Sequence, residues 1–384
     1  MLRRERVCSE RARILGGIGG AAGTSRDASV APRMTGAPEP IPSAPGHGRL
    51  AYVDWLRGLA VLLMMQTHAY DSWLTPEAKA TAFFKWSRLV GGYPAPLFLF
   101  LAGLSLALLA DALFRREAAA RGVCRKLAAR GLEVLGLAVL FRLWMFASGG
   151  FAKPVDLLRV DVLNCIGASM LVVGTLALAV PDRTRRTWRA MLTAAVIALL
   201  TPLAWDLPWP SWMPFWLSGY WSGRAFGSFF PLFPWAGFTA AGAAVGSILA
   251  GARERGLEGR AVAALALGAM AAFPVALLLD RLPAAYPRYD FWWTSPNYFL
   301  IKVGILLLVL ALAYAWSRAP WAAGISPVRQ LGRTSLLVYW AHIEIVYGGI
   351  VARGLRGALD VPEASVALLV LVVAMVVLSL ARTR

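Results

Sequence analysis

The stretch DWLRGLAVLLMMQTHAYDSW, residues Asp54–Trp73, decides how the rest of the chain is read. A helix needs about 20 residues to cross the hydrocarbon core of a bilayer, and this segment has that length. It also carries Asp54, Arg57, His68 and Asp71. At about 100° per residue these four share one narrow stripe with Val61 and Met64. Ionisable groups in a membrane helix face a bundle interior or a water-filled cavity, and they mark functional sites by default. The segment is read as the first span of a polytopic helical membrane protein, with its working face on that stripe.

Composition supports this reading. Of 384 residues 58% are hydrophobic and 16% are charged, whereas a soluble domain carries about a quarter charged residues. Lys and Arg number 39 against 21 Asp and Glu, a formal charge of +18. In a membrane protein that surplus collects in cytoplasmic connectors, so no nucleic-acid partner is expected and the lipid bilayer is the first partner. Cys8, Cys124 and Cys165 have neither disulfide nor zinc-site spacing, and no metal is expected. The tail, residues 1–49, is rich in Arg, Gly, Ala and Pro and is predicted to be a disordered cytoplasmic segment, with Met34 as an alternative start. The rest, residues 50–384, is one transmembrane domain.

Ten spans are predicted: Val53–Trp73, Tyr93–Leu113, Leu127–Phe146, Val160–Val180, Trp188–Trp205, Phe229–Ala250, Ala261–Leu282, Asn297–Trp316, Leu331–Ala352 and Glu363–Ala381. With both termini inside, the cytoplasmic connectors and tail hold 25 Lys and Arg against 10 outside. The positive-inside rule then sets N-in, C-in, in the inner (plasma) membrane.

Asp54 and Arg57, one turn apart, are read either as an interfacial ion pair or as part of a binding site. His68 with Asp71 at i+3 is the stronger chemical signal. A carboxylate can fix the imidazole tautomer and leave the other ring nitrogen as a base. The ninth span, LGRTSLLVYWAHIEIVYGG, holds the other embedded histidine, His342, on one face with Ser335 and Tyr339, while Glu344 points away. Arg130 with Glu133 is read as a structural pair, and Arg142 as snorkelling outward. Asp161 and Asn164 on the fourth span and Lys302 on the eighth complete the embedded polar set. Six tryptophans fall in Trp205–Trp235. They form an aromatic belt, or Trp209, Trp212 and Trp216 form a platform that stacks on sugar rings. No Walker A, HExxH or GxSxG motif is present, so any chemistry belongs to the bundle.

DWLRGLAVLLMMQTHAYD resembles the opening signature of bacterial relatives of heparan-α-glucosaminide N-acetyltransferase, within the wider transmembrane acyltransferase group. APLFLFLAGLSLAL (Ala95–Leu108), RGLEVLGLAVL from Arg130, LNCIGASMLV from Leu163, FPLFPWAGFTAAGAAVG from Phe230 and LGRTSLLVYWAHI from Leu331 follow in the family's order. The resemblance implies transfer of an acetyl group from cytoplasmic acetyl-CoA, the donor substrate, to a sugar or glycan acceptor on the other side. It implies a catalytic histidine: His68 as base with Asp71 as its orienting partner, or His342 if its helix packs against the first. Arg57, Arg130 and Asp54 are then expected at the CoA site, and Asn164 and Tyr339 at the acceptor. Asn164 stands where many relatives have histidine. Two other readings stay open: a permease whose path is lined by the charged stripe, and a non-catalytic membrane subunit. Self-association is compatible with all three.

Overall fold

The computed structural model describes residues 50–383, apart from 117–118, 150–152, 209, 224–227, 284, 321–323, 325 and 349–351. The predicted disordered tail, residues 1–49, and Trp209 lie outside the described residues. The regular secondary structure of the described residues is helical, without a named strand. The principal helices are α1 (Ala51–Trp73), α2 (Ala82–Gly91), α3 (Pro94–Arg115), α4 (Ala120–Ala147), α5 (Val162–Val173) and α6 (Arg183–Asp206). They continue with α7 (Leu232–Glu254), α8 (Glu258–Leu279), α9 (Pro296–Arg318), α10 (Pro327–Arg333), α11 (Ser335–Tyr347) and α12 (Val361–Thr383).

Helix starts follow local chemistry. Asp161 caps α5 by accepting from the Asn164 amide at 3.0 Å, and Asp182 caps α6 by accepting from the Arg185 amide at 2.6 Å. Ser295 and Ser326 cap α9 and α10, each followed by a proline whose missing N–H costs nothing at a first helical position. These residues meet the orphan amides that a helix start would otherwise strand in an apolar bundle.

Seven helical stretches among the described residues are long and apolar enough to cross a membrane: Ala82–Arg115, Pro154–Leu178, Arg183–Asp206, Leu232–Glu254, Glu258–Leu279, Pro296–Arg318 and Val361–Thr383. Each overlaps a predicted span. The other three predicted spans are helical but fall short of that standard for separate reasons. α1 and α4 are long enough, at 23 and 28 residues, but polar and charged side chains dilute them. The ninth predicted span, Leu331–Ala352, is not one helix. It breaks at Thr334 (φ −115°, ψ 24°), and α11 runs only 13 residues to Tyr347. The break is fixed by tertiary bonds: the Thr334 hydroxyl bonds that of Ser379 on α12 at 2.5 Å, and the Gln330 amide donates to the Ser379 carbonyl at 2.9 Å. The predicted fourth span also departs from a plain α-helix, since α5 passes into a wider π turn over Gly174–Leu178.

Two apolar cores run the length of α1. Leu56 and Ala60, near its start, pack into a core shared by α3, α5, α6, α7 and α9. Met64, Met65 and Trp73, toward its end, pack with α4, α11 and α12. Glycine sets how α1 meets α10. A Cβ on Gly58 would overlap the Val328 carbonyl, and one on Gly332 would overlap the Asp54 carbonyl. The two backbones therefore touch directly, as small residues permit between membrane helices. That close approach lays α11, which continues α10, alongside the second half of α1.

Candidate active site

The contact between α1 and α11 joins the two embedded histidines. His68 Nδ1 lies 3.0 Å from His342 Nε2, and His342 Nδ1 lies 2.7 Å from the carbonyl oxygen of Val338. The rings are parallel to within 2° with centroids 5.3 Å apart. A 3.0 Å nitrogen contact reaches that separation only when the rings lie end to end, so the N–H···N bond is straight.

In the uncharged pair these contacts fix both tautomers. A carbonyl can only accept, so His342 Nδ1 carries its proton and Nε2 is a bare acceptor. His68 Nδ1 must then donate, which leaves the lone pair on His68 Nε2. His342 is fully buried, while His68 is partly exposed. The more exposed member of the pair is His68.

The partner is not the one expected. Asp71 is exposed and accepts from the Tyr347 hydroxyl at 3.3 Å, while the ring of Tyr347 stands edge-on to His68 with centroids 5.4 Å apart. The i+3 relation does bring Asp71 to the right side of α1. The crossing helix fills the space at Nδ1 first, so Asp71 reaches His68 only through the Tyr347 ring.

Two cavities lie near the dyad; neither histidine is among their lining residues, and Tyr339 and Tyr347, which do line them, stand edge-on to His342 and His68. The first, of about 360 Å³, has Arg57, Ser105, Arg130, Ser335 and Tyr339 among otherwise apolar walls that include Phe98, Leu137 and Met170. Arg57 bonds Asp54 at 3.1 Å and the Ser105 hydroxyl at 2.6 Å, which holds the guanidinium against the wall. Asp54 is buried and positions Arg57. Arg130 pairs with Glu133 at 2.7 Å, as expected of a structural i,i+3 pair, and still lines the cavity. The second cavity, of about 490 Å³, is the more polar: Asp71, Ser72, Arg142, Asp161, Tyr347 and Arg356 line it beside Phe141, Met145, Tyr339 and Ile343. Arg142 does not snorkel outward. It is buried against Asp161 at 3.3 Å and donates to the Asp156 carbonyl at 2.7 Å.

Tyr339 lines both cavities and stands edge-on to His342, with centroids 5.8 Å apart. Asn164 is buried and donates to the Tyr220 hydroxyl at 3.3 Å, beside the cavities rather than among their lining residues. Trp212 and Trp216 line neither cavity, and Trp212 is 81% exposed. That exposure suits an interfacial belt better than a sugar platform at these cavities.

A sequence profile of the heparan-alpha-glucosaminide N-acetyltransferase catalytic family matches residues 49–279, more than half of the chain. The chain belongs to this family. No curated protein matches it. Membership in the heparan-alpha-glucosaminide N-acetyltransferase family makes this a multi-pass membrane protein of the acyltransferase class. The matched region holds His68, Asp71, Arg57, Arg130, Arg142 and Asp161, whereas α9 to α12, with Tyr339, His342 and Tyr347, lie beyond it. Arg356 and Tyr347 were not among the site residues expected from sequence. Both come from the segment around the end of α11, where Arg356 donates to the Tyr347 carbonyl and neither residue falls on the polar stripe of a span.

Proposed function

We propose that the chain transfers an acetyl group from acetyl-CoA to a sugar or glycan acceptor, with His68 as the general base. The observation that carries this is the bond from His68 Nδ1 to His342 Nε2, backed by His342 Nδ1 on the Val338 carbonyl. It aims an unprotonated Nε2 away from the buried partner. The acceptor N–H or O–H gives its proton to His68 Nε2 as the acceptor attacks the thioester carbonyl. The tetrahedral intermediate then collapses with cleavage of the C–S bond, and the departing CoA thiolate takes the proton back from His68.

The two cavities suit the two substrates. The apolar one fits a pantetheine arm, with Arg57 and Arg130 as cations for its phosphates. The polar one, with carboxylates, arginines and tyrosines together, fits a hydroxyl-rich acceptor. In this reading all ten predicted spans cross the membrane, the ninth as the broken pair α10–α11, both termini are cytoplasmic in the inner membrane, and the donor enters on the side of Arg57. His68 lies 11 residues beyond Arg57, roughly 16 Å along α1, within reach of an extended arm.

A permease remains the second reading, because two cavities placed end to end also describe an alternating-access path. Purified protein given radiolabelled acetyl-CoA and glucosamine separates them. Acetyl-CoA binding and labelled N- or O-acetylglucosamine support the transferase. Saturable glucosamine uptake without acetyl-CoA binding would replace it with the permease.

A further inference from the structure

α4 and α11 each contribute to both cavities, at positions one to two turns apart, and the start of α5 borders both. α4 gives Leu137 to the apolar cavity and Phe141 to the polar one. At the start of α5, Val162 faces the first and Asp161 the second. α11 gives Ser335 and Leu336 to the first and Ile343 to the second, with Tyr339 midway. The cavities are therefore stacked along the bundle, with a wall roughly one helical turn, about 5 Å, thick. Of the described residues, Tyr339 alone lines both. Its ring packs on Phe141 at 5.3 Å between centroids and on the edge of His342, so the wall is a single layer of side chains.

We infer that the Tyr339 ring is the partition between the two compartments, and that in the absence of acceptor it keeps water in the polar cavity from the acyl donor in the apolar one. The second half of this inference rests on the proposed donor site, while the first stands on the cavities alone. Water in the wrong compartment is a chemical hazard. It attacks the thioester carbonyl, the C–S bond breaks, and acetate and free CoA leave without an acceptor. An aromatic ring suits this place because it fills the gap between α4 and α11 without adding a charge. The hydroxyl is dispensable for the partition, so the conservative and the truncating substitutions should part company.

The test uses the full chain with Cys8, Cys124 and Cys165 replaced by serine and Ser335→Cys placed in the apolar cavity. A membrane-impermeant maleimide is applied separately from each side of the membrane. With Tyr339 present, or with Tyr339→Phe, the cysteine labels from one side only. With Tyr339→Ala it labels from both. Tyr339→Leu, which keeps apolar bulk on α11 but not the reach of the ring, carries the same expectation should the alanine variant fail to fold. One-sided labelling in folded Tyr339→Ala or Tyr339→Leu overturns the inference.

Acceptor-free release of CoA thiol from acetyl-CoA is measured in parallel, with a rise of at least about tenfold expected for Tyr339→Ala over Tyr339→Phe. Two-sided labelling without any thiol release upholds the partition and removes the acyl-donor reading instead. Two-sided labelling with acetyl transfer intact and thiol release unchanged overturns the water-excluding role.

Discussion

Replacing His342 with phenylalanine keeps a ring of similar size against Tyr339 and removes both nitrogens. His68 Nδ1 then loses the acceptor 3.0 Å away, and nothing else among the described residues takes its place. A buried hydrogen bond left unmade costs about 1–3 kcal/mol. If that is the free energy by which His342 favours the catalytic tautomer and ring orientation of His68, kcat falls roughly 5- to 150-fold, at about 1.4 kcal/mol per factor of ten. KM for acetyl-CoA should stay within about twofold, because Arg57 lies roughly 16 Å from His68 along α1. The assay is steady-state transfer from acetyl-CoA to glucosamine in nanodiscs. A structural readout accompanies it. The chain has three histidines, so ¹⁵N-histidine spectra resolve the dyad with little overlap. The wild type should show Nδ1–H on both His68 and His342, and His342→Phe should release His68 to a mixture of tautomers. A kcat within twofold of wild type, with His68 still held as Nδ1–H, would refute the orienting role.

Other expectations follow from the same geometry. Arg57→Gln removes the cation bonded to Asp54 and Ser105, and acetyl-CoA affinity measured by calorimetry should weaken about tenfold with kcat at saturation little changed. Asp71→Asn should lower transfer less than about fivefold, since the carboxylate meets Tyr347 and not the imidazole. Arg142→Leu strands Asp161 in a largely buried setting and should cost about 3–5 kcal/mol of stability in denaturant titrations, while adding Asp161→Leu should recover much of it.

The stripe on α1 was legible because helix period and charge together place Asp54, Arg57, His68 and Asp71 on one face. Of these, Arg57 lines the apolar cavity and Asp71 the polar one, Asp54 holds Arg57, and His68 is half of the dyad. The pairing of His68 was not legible. An i+3 carboxylate is visible in a sequence, whereas a histidine 274 positions away becomes a neighbour only through the close packing of Gly58 and Gly332. The break at Thr334 was hidden for a related reason. LGRTSLLVYWAHI has the apolar density of a continuous span, and the bonds that interrupt it run to Ser379 on another helix. Arg142 was misjudged because snorkelling is the default for a lone arginine in a span. Its partner Asp161 sits on a different helix, and only the fold places the two 3.3 Å apart. The tryptophans illustrate the reverse case. Their density suggested a platform, but aromatic side chains collect at any membrane interface, and composition alone does not separate the two roles.

The claim at the centre of this account is that His68 supplies the base for acetyl transfer. It is tested most directly by His68→Ala in nanodiscs, with acetyl-CoA binding and acetyl transfer to glucosamine measured on one preparation. The account predicts binding within a few-fold of wild type and transfer lowered by about 10²–10⁴. Wild-type turnover by His68→Ala, with His342→Ala inactive, would contradict it and move the chemistry to α11.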